Sequence, residues 1–488
     1  MKAFFKKYSF FIPLALVELY LLATLLLYQF GPLDWQTENQ GMFWFFIAAY
    51  HIAFILGYII SAKWIKLPKP SFSLETISSR KYSIALWVII LICIVCACIE
   101  YKNTTHASSY IPYELPKNFI NGLMNPAEQY YNKFAPEGYT SNKGITLISS
   151  LFSFLYVSLI PILVSEWKRI SIPQKTCIFG IILFKVAFYV SIGTNKGIFD
   201  TMFYFVGILV ILCLLNLINK TDRFIDKKTL IKVSGFALFL VIFSFVYFTV
   251  NISSRVQNPV DFAISDTQKT DPAPVEPTPE PAPETTPEAT PETEVTPETE
   301  AAPETEAAPE AEPTPEPTEP KKDGFIKRMY YSVTNYITQG YYGMSLALDE
   351  DFTTTYGIGN SQFLRSNFES LFGISVRERT YQYKITEQWH EDQKWHSFYS
   401  YIANDVSFYG VIAVMFLIGL FFGLICKDVI LHNSLIGKML LLLFVILFMY
   451  MPANNQVFTS MATFMAFFEL SFLWILSKIQ WKKGLKHD

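Results

Sequence analysis

Charge is what this sequence has least of. Asp, Glu, Lys and Arg make up only 17% of its 488 residues, while 51% are hydrophobic and 17% aromatic. A soluble chain carries nearer a quarter charged residues, so a water-soluble globular fold is excluded. Cysteine is scarce as well: all six fall within or at the edge of apolar runs, which leaves none for a disulfide framework or a zinc site. Cys93, Cys96 and Cys98 lie on one apolar stretch without acidic or His partners and read as small core residues. No phosphate-binding loop, Gly-x-Ser-x-Gly elbow or dinucleotide fingerprint occurs, which argues against nucleotide chemistry, and no nucleic-acid partner is expected. His390 and His396 stand six apart, not the i, i+4 spacing of a helical metal site. The expectation is therefore no metal and no cofactor.

Long apolar runs are what the chain does have. A run of about 17 to 25 residues crosses a hydrocarbon core of about 30 Å. Ten are read here, at 9–30, 41–62, 82–99, 144–165, 176–193, 197–218, 232–250, 405–426, 436–451 and 458–477. The fold class expected is an all-α polytopic membrane protein. Lys and Arg follow alternate runs, as in Lys63, Lys66 and Lys69, then Lys168 and Arg169, then Lys427 and Lys438, whereas the loops after the first and ninth runs have neither. By the positive-inside bias both termini are placed in the cytoplasm of a multi-pass protein. The first run, though preceded by Lys2, Lys6 and Lys7, reads as a retained span and not a cleaved signal.

The chain then divides into helices one to seven (1–250, with an exterior loop at 100–143), an exterior stretch (251–404), and helices eight to ten with a tail (405–488). Within the exterior stretch, residues 271–320 hold fifteen acidic residues and no basic one, so the remainder carries a net charge of about +12 against the formal −3. Its Pro-Glu-Thr and Pro-Glu-Ala units cannot build a core and read as a disordered spacer. Residues 323–404 regain aromatics. The spacing of Tyr330, Tyr331, Thr334, Ile337 and Tyr341 predicts an amphipathic helix, and this segment is expected to lie as a lid over the bundle. The prolines at 112, 116, 126 and 136 are expected to break the 100–143 loop.

Ionisable residues inside spans cost roughly 2.5 to 3.5 kcal/mol each. Glu18, His51, Lys185 and Glu469 qualify, as interior ion pairs such as Lys185 with Glu469, or as a path for substrate or protons. At the helix ends, Lys196 opens a span between Gly193 and Gly197, a placement that suits a phosphate, though solvent or lipid phosphate also meets such a lysine. Arg255 emerges at a similar depth. In the lid, Arg365, Arg377 and Arg379 offer bidentate donors, and His390, His396 and Asp405 suit proton transfer.

Two passages carry a resemblance. Gly193-Thr194-Asn195-Lys196-Gly197 opening a span is similar to the Gly-Ser-Arg-Gly type sequence of the oligosaccharide repeat-unit polymerases, the O-antigen polymerase family and its capsule and exopolysaccharide relatives. The segment from His396 through Asp405 to Gly410, leading into Gly419 and Gly423, resembles that family's approach to a Gly-rich span. Lys196 replaces the usual Arg, and the Pro-Glu-Thr insert is not a family feature. The resemblance implies a GT-C-like, metal-independent glycosyltransferase at the outer face of an inner membrane. It would transfer a growing glycan from undecaprenyl diphosphate to an incoming lipid-linked repeat unit, with a flippase and a chain-length regulator as protein partners. It further implies that Lys196, Arg255, Arg365 and Arg379 hold the diphosphate, that His396 or Asp405 takes the proton, and that Tyr341, Trp389 and Trp395 stack on sugars. O-antigen ligases place a His similarly, so a ligase stays open beside the polymerase. A transporter lined by Glu18, His51, Lys185 and Glu469 is the reading from another class.

Overall fold

In the computed structural model, residues 8–71, 77–132, 143–218, 227–255, 324–391 and 394–479 are described, and no strand occurs among them. The apolar runs become helices α1 (Ile12–Phe30), α2 (Gln40–Lys63), α3 (Ser79–Thr105), α6 (Lys143–Ser150), α7 (Ser153–Ser165), α8 (Ile172–Ser191), α9 (Lys196–Ile218), α10 (Lys227–Arg255), α14 (Phe398–His432), α15 (Leu435–Tyr450) and α17 (Met461–Lys478). Nine helical stretches among the described residues are long and apolar enough to cross a membrane, α6 and α7 counting together; the shorter α15, with 16 residues, is a tenth apolar helix. The chain is an all-α, multi-pass membrane protein. Between these lie α4 (Leu115–Met124), α5 (Pro126–Asn132), α11 (Phe325–Ala347), α12 (Gln362–Phe372), a 3-10 turn at Arg377–Arg379, and the short α13 (Tyr381–Lys384) and α16 (Gln456–Thr459). The Pro-Glu-Thr tract lies outside the described residues.

Hydrogen bonds gather one set of helix ends together. Lys427 Nζ donates to the carbonyls of Ala62 and Ile65, both at 2.9 Å, Lys438 reaches Ser165, and the Ser71 amide donates to Ser477 at 2.7 Å. Buried Asp428 accepts from His432 and Trp474 at 2.8 Å and from Lys478. This is the lysine-rich end; the α8–α9 turn, the end of α10 and residues 324–404 belong to the opposite one.

The bundle's tightest seam joins α2 to α14. Hydrocarbon tails are as apolar as leucine, so helices in a bilayer associate by close packing and not by the hydrophobic effect. Gly57 and Gly419 permit that packing: a Cβ on Gly57 would lie 2.1 Å from the Phe416 carbonyl oxygen, and one on Gly419 2.1 Å from that of Phe54. Gly423 lies one turn further on, against Ser61. Above the seam α14 breaks at Ser407, whose φ of 61° and ψ of 167° are not helical. Tyr50 donates to the Phe408 carbonyl beside the break at 2.9 Å.

Two expectations are corrected. The amphipathic helix at 330–341 exists as α11, but it does not lie over the bundle. From Ser332 to Ala347 most of its residues are buried, packed against α1, α10 and α14. Two of its buried polar side chains find partners there: Trp35 Nε1 donates to Thr338 at 2.9 Å, and Gln339 accepts from the Trp395 amide at 3.1 Å. Satisfied in this way, they no longer oppose burial. In the 100–143 loop, Pro116 and Pro126 start α4 and α5 instead of breaking them, consistent with proline's pre-set φ at a first helical turn. Helix α4 lies against α8 so closely that a Cβ on Gly122 would sit 2.0 Å from the Val190 carbonyl oxygen.

Candidate functional site

The chain reverses between α8 and α9 through Ile192 to Asn195. Gly193 has a φ of 63°, and a Cβ there would fall 2.2 Å from the Pro126 carbonyl oxygen, so conformation and space both require glycine. Helix α10 fastens the turn: Asn251 Nδ2 donates to the Gly193 carbonyl at 2.9 Å and to Asn195 Oδ1 at 3.0 Å. Arg255 Nη2 donates to the same Gly193 carbonyl at 2.6 Å, and its guanidinium lies 3.7 Å from the centre of the Tyr130 ring. Arg255 thus holds the turn beneath α5. At Gly197 the space belongs to the Tyr189 ring, 1.9 Å from where a Cβ would stand, so the two glycines admit protein neighbours at this helix start.

Lys196 Nζ donates to Asp200 Oδ2 at 2.8 Å, one turn along α9. It also stands between two cavities. On one side is an aromatic pocket walled by Tyr20, Phe199, Phe203, Phe245, Phe248 and Tyr336. On the other is a polar cleft among α3, α7, α8 and α9, lined by Glu100, Ser149, Tyr156, Lys185, Tyr189 and Asp200. In the cleft Lys185 pairs with Glu100, not with Glu469, and its ammonium lies 5.1 Å from the centre of the Tyr156 ring. Lys185 and Lys196 are near enough to interact electrostatically. Glu18 and His51 pair with each other at 2.6 Å on α1 and α2.

Neither cavity is lined by Arg365, Arg379, His396 or Asp405. Asp405 instead anchors the loop before α12. Its Oδ1 accepts from Thr355 Oγ1 and from the amides of Gly357 (2.9 Å) and Gly359 (3.0 Å). Its Oδ2 accepts from the Asn360 amide (3.0 Å) and side chain (2.6 Å). Five donors occupy a carboxylate that has about four lone-pair sites. His396 is fully buried against Trp389 and Gly343, and neither ring nitrogen has a hydrogen-bond partner. Burial alone pushes its pKa down from 6.5 to about 3, because an imidazolium there would lose its hydration.

Tyr341 and Trp389 are also core residues. Tyr341 hydrogen-bonds Thr24 at 3.0 Å among Tyr28 and Phe43, and Trp389 Nε1 donates to the Trp395 carbonyl at 3.0 Å. Neither presents a ring face for a sugar. Trp395 keeps 37% exposure and packs edge-on against Tyr336, which walls the aromatic pocket. Arg379 donates to Tyr356 Oη at 3.0 Å, and Arg377 is paired with Glu391. Arg365, on α12, makes no side-chain hydrogen bond or ion pair among the described residues and is partly exposed. The structure therefore brings Lys196 and Arg255 together, and gathers Asp405 and Arg379 about the 355–360 loop.

Asp200 and Glu100 complete the cleft without having been singled out from sequence. Asp200 lies inside the sixth run and meets the criterion that found Lys185, an ionisable side chain in an apolar helix; Glu100 stands one residue past the third. No family model matches the chain, and neither the curated proteins nor the solved structures give a match.

Proposed function

We propose that this chain is an oligosaccharide repeat-unit polymerase, a membrane glycosyltransferase that lengthens a glycan carried on undecaprenyl diphosphate. The observation that carries the reading is the position of Lys196, a cation between an aromatic pocket and a polar cleft. A polyprenyl diphosphate has that same division into apolar tail and anionic head. On this reading the lysine-rich end faces the cytoplasm and the opposite end faces outward across an inner membrane, where a flippase delivers the substrate. Lys196 and Lys185 hold the diphosphate, Arg255 sets the turn that presents Lys196, and Arg365 and Trp395 are available to the glycan. Asp405 and His396 serve the architecture of the 350–400 region.

The test is to replace Lys196 by Ala and by Arg in a strain lacking the native copy and to separate its surface glycans on a gel. Loss of a preorganised charge donor costs about 10²- to 10³-fold in rate. Lys196→Ala should therefore leave single repeat units at unchanged protein level, with Arg restoring part of the ladder. Long chains made but never attached would indicate a ligase, and a normal ladder from Lys196→Ala would sink the reading.

A further inference from the structure

We propose that Asp200 is the base that takes the proton of the attacking sugar hydroxyl, and that Lys196 masks it until a diphosphate arrives. The proposal rests on the polymerase reading above and names a catalytic residue within it.

The other proton acceptors in this part of the molecule are occupied or sealed. Asp405 holds five donors, His396 touches only protein, and Glu100 is engaged by Lys185 and, at 3.4 Å, by Tyr189. Asp200 differs. It is 7% exposed, its Oδ2 is taken by Lys196, and its Oδ1 is buried without a hydrogen bond of ordinary geometry, the Tyr450 hydroxyl being the neighbour near enough to interact. A buried carboxylate oxygen left without a donor is costly. In the cleft wall, a ligand hydroxyl is the kind of donor that would complete it.

The ion pair supplies the control. A diphosphate carries more charge than a carboxylate and offers several oxygens, so it competes for Lys196 with Lys185 nearby as a second cation. Once Lys196 turns to the diphosphate, Asp200 Oδ2 is released from its donor and is free to accept from the acceptor hydroxyl. The proton of the acceptor hydroxyl passes to Asp200. The acceptor oxygen bonds to the anomeric carbon of the donor glycan. The bond from that carbon to the diphosphate oxygen breaks with its electron pair, and the lipid diphosphate leaves with its charge balanced by Lys196 and Lys185. No oxidant, reductant or further reactant is needed.

The experiment uses the full chain in lipid nanodiscs, with lipid-linked repeat units for turnover and undecaprenyl diphosphate for binding. Asp200→Asn should lower kcat by about 100-fold or more, as expected for a lost general base, while KM moves by less than about threefold. Because the same change unmasks Lys196, undecaprenyl diphosphate should bind at least as tightly as to the unaltered chain, whereas Lys196→Met should weaken it about tenfold or more. Asp200→Glu, which keeps the charge and guards against a folding defect, should recover part of kcat. Asp200→Asn turning over at the full rate, or binding the lipid as poorly as Lys196→Met, overturns the assignment of Asp200 alone. An unaltered chain that extends no lipid-linked oligosaccharide overturns the polymerase reading, and this assignment with it.

Discussion

His396 and Asp405 show how one residue type can mean chemistry in a sequence and architecture in a fold. The sequence places both in a polar stretch, where they look available. Which neighbours close around them depends on contacts from α11 and the 355–360 loop, distant in sequence, so availability was not legible there. Each role has a measurable consequence. His396 stays neutral in the folded protein down to about pH 3, whereas an unfolded histidine takes up a proton below its ordinary 6.5. The unfolded state thus binds more protons in that window, and stability falls as pH drops from about 6.5 toward 3, by at most about 1.4 kcal/mol per pH unit. Thermal unfolding at pH 7 and pH 5 should show the loss, and His396→Phe should reduce it. For Asp405→Asn, the amide keeps one acceptor but adds donors that face other donors, costing about 2 to 3 kcal/mol by the scale of charge-assisted bonds. Hydrogen exchange at Gly357, Gly359 and Asn360 should then accelerate; unchanged protection would contradict the anchoring role.

At the scale of elements, hydropathy served well where a helix meets lipid and poorly where a helix meets protein. The ten apolar runs correspond to helices because a backbone crossing hydrocarbon must satisfy its hydrogen bonds within its own segment. Helix α14 runs beyond its predicted span at both ends, and the run at 144–165 is interrupted at Leu151 and Phe152 between α6 and α7. Helix α11 was visible as a helix, yet its burial was not, since Thr338 and Gln339 look like surface until Trp35 and Trp395 supply partners. Of the glycines in the α2–α14 seam, Gly419 and Gly423 entered only as part of a resemblance and Gly57 not at all; the structure places all three where a Cβ would clash. Gly419→Val should abolish the close approach to Phe54 and sharply lower the yield of folded protein. Gly180, by contrast, has nothing within 4 Å of a Cβ position; Gly180→Ala should be neutral or gain up to about 1 kcal/mol from helix propensity. Paired thermal-shift measurements in detergent separate the two. Ser407 adds a third case, because its φ and ψ lie in a region natural mainly to glycine. Ser407→Gly should relieve about 1 kcal/mol of strain, and a fall in melting temperature would show that the hydroxyl matters more than the backbone.

Taken whole, the molecule separates a lysine-rich end, held by carbonyl caps and the Asp428 cluster, from an opposite end that carries both cavities beside Lys196. The acidic tract at 271–320 has a composition that cannot build a core, so its deletion should leave glycan chain formation intact on the same gel assay; complete loss would assign the tract a part in activity. The α2–α14 seam also sets a schedule for making the protein. About 360 residues separate Gly57 from Gly419, and at about 5 to 20 residues per second the ribosome takes roughly 20 to 70 s to synthesise them. Until α14 is inserted, Gly57 on α2 lacks the helix backbone it packs against. A nascent chain released before α14 is inserted should be degraded, however complete its first seven spans.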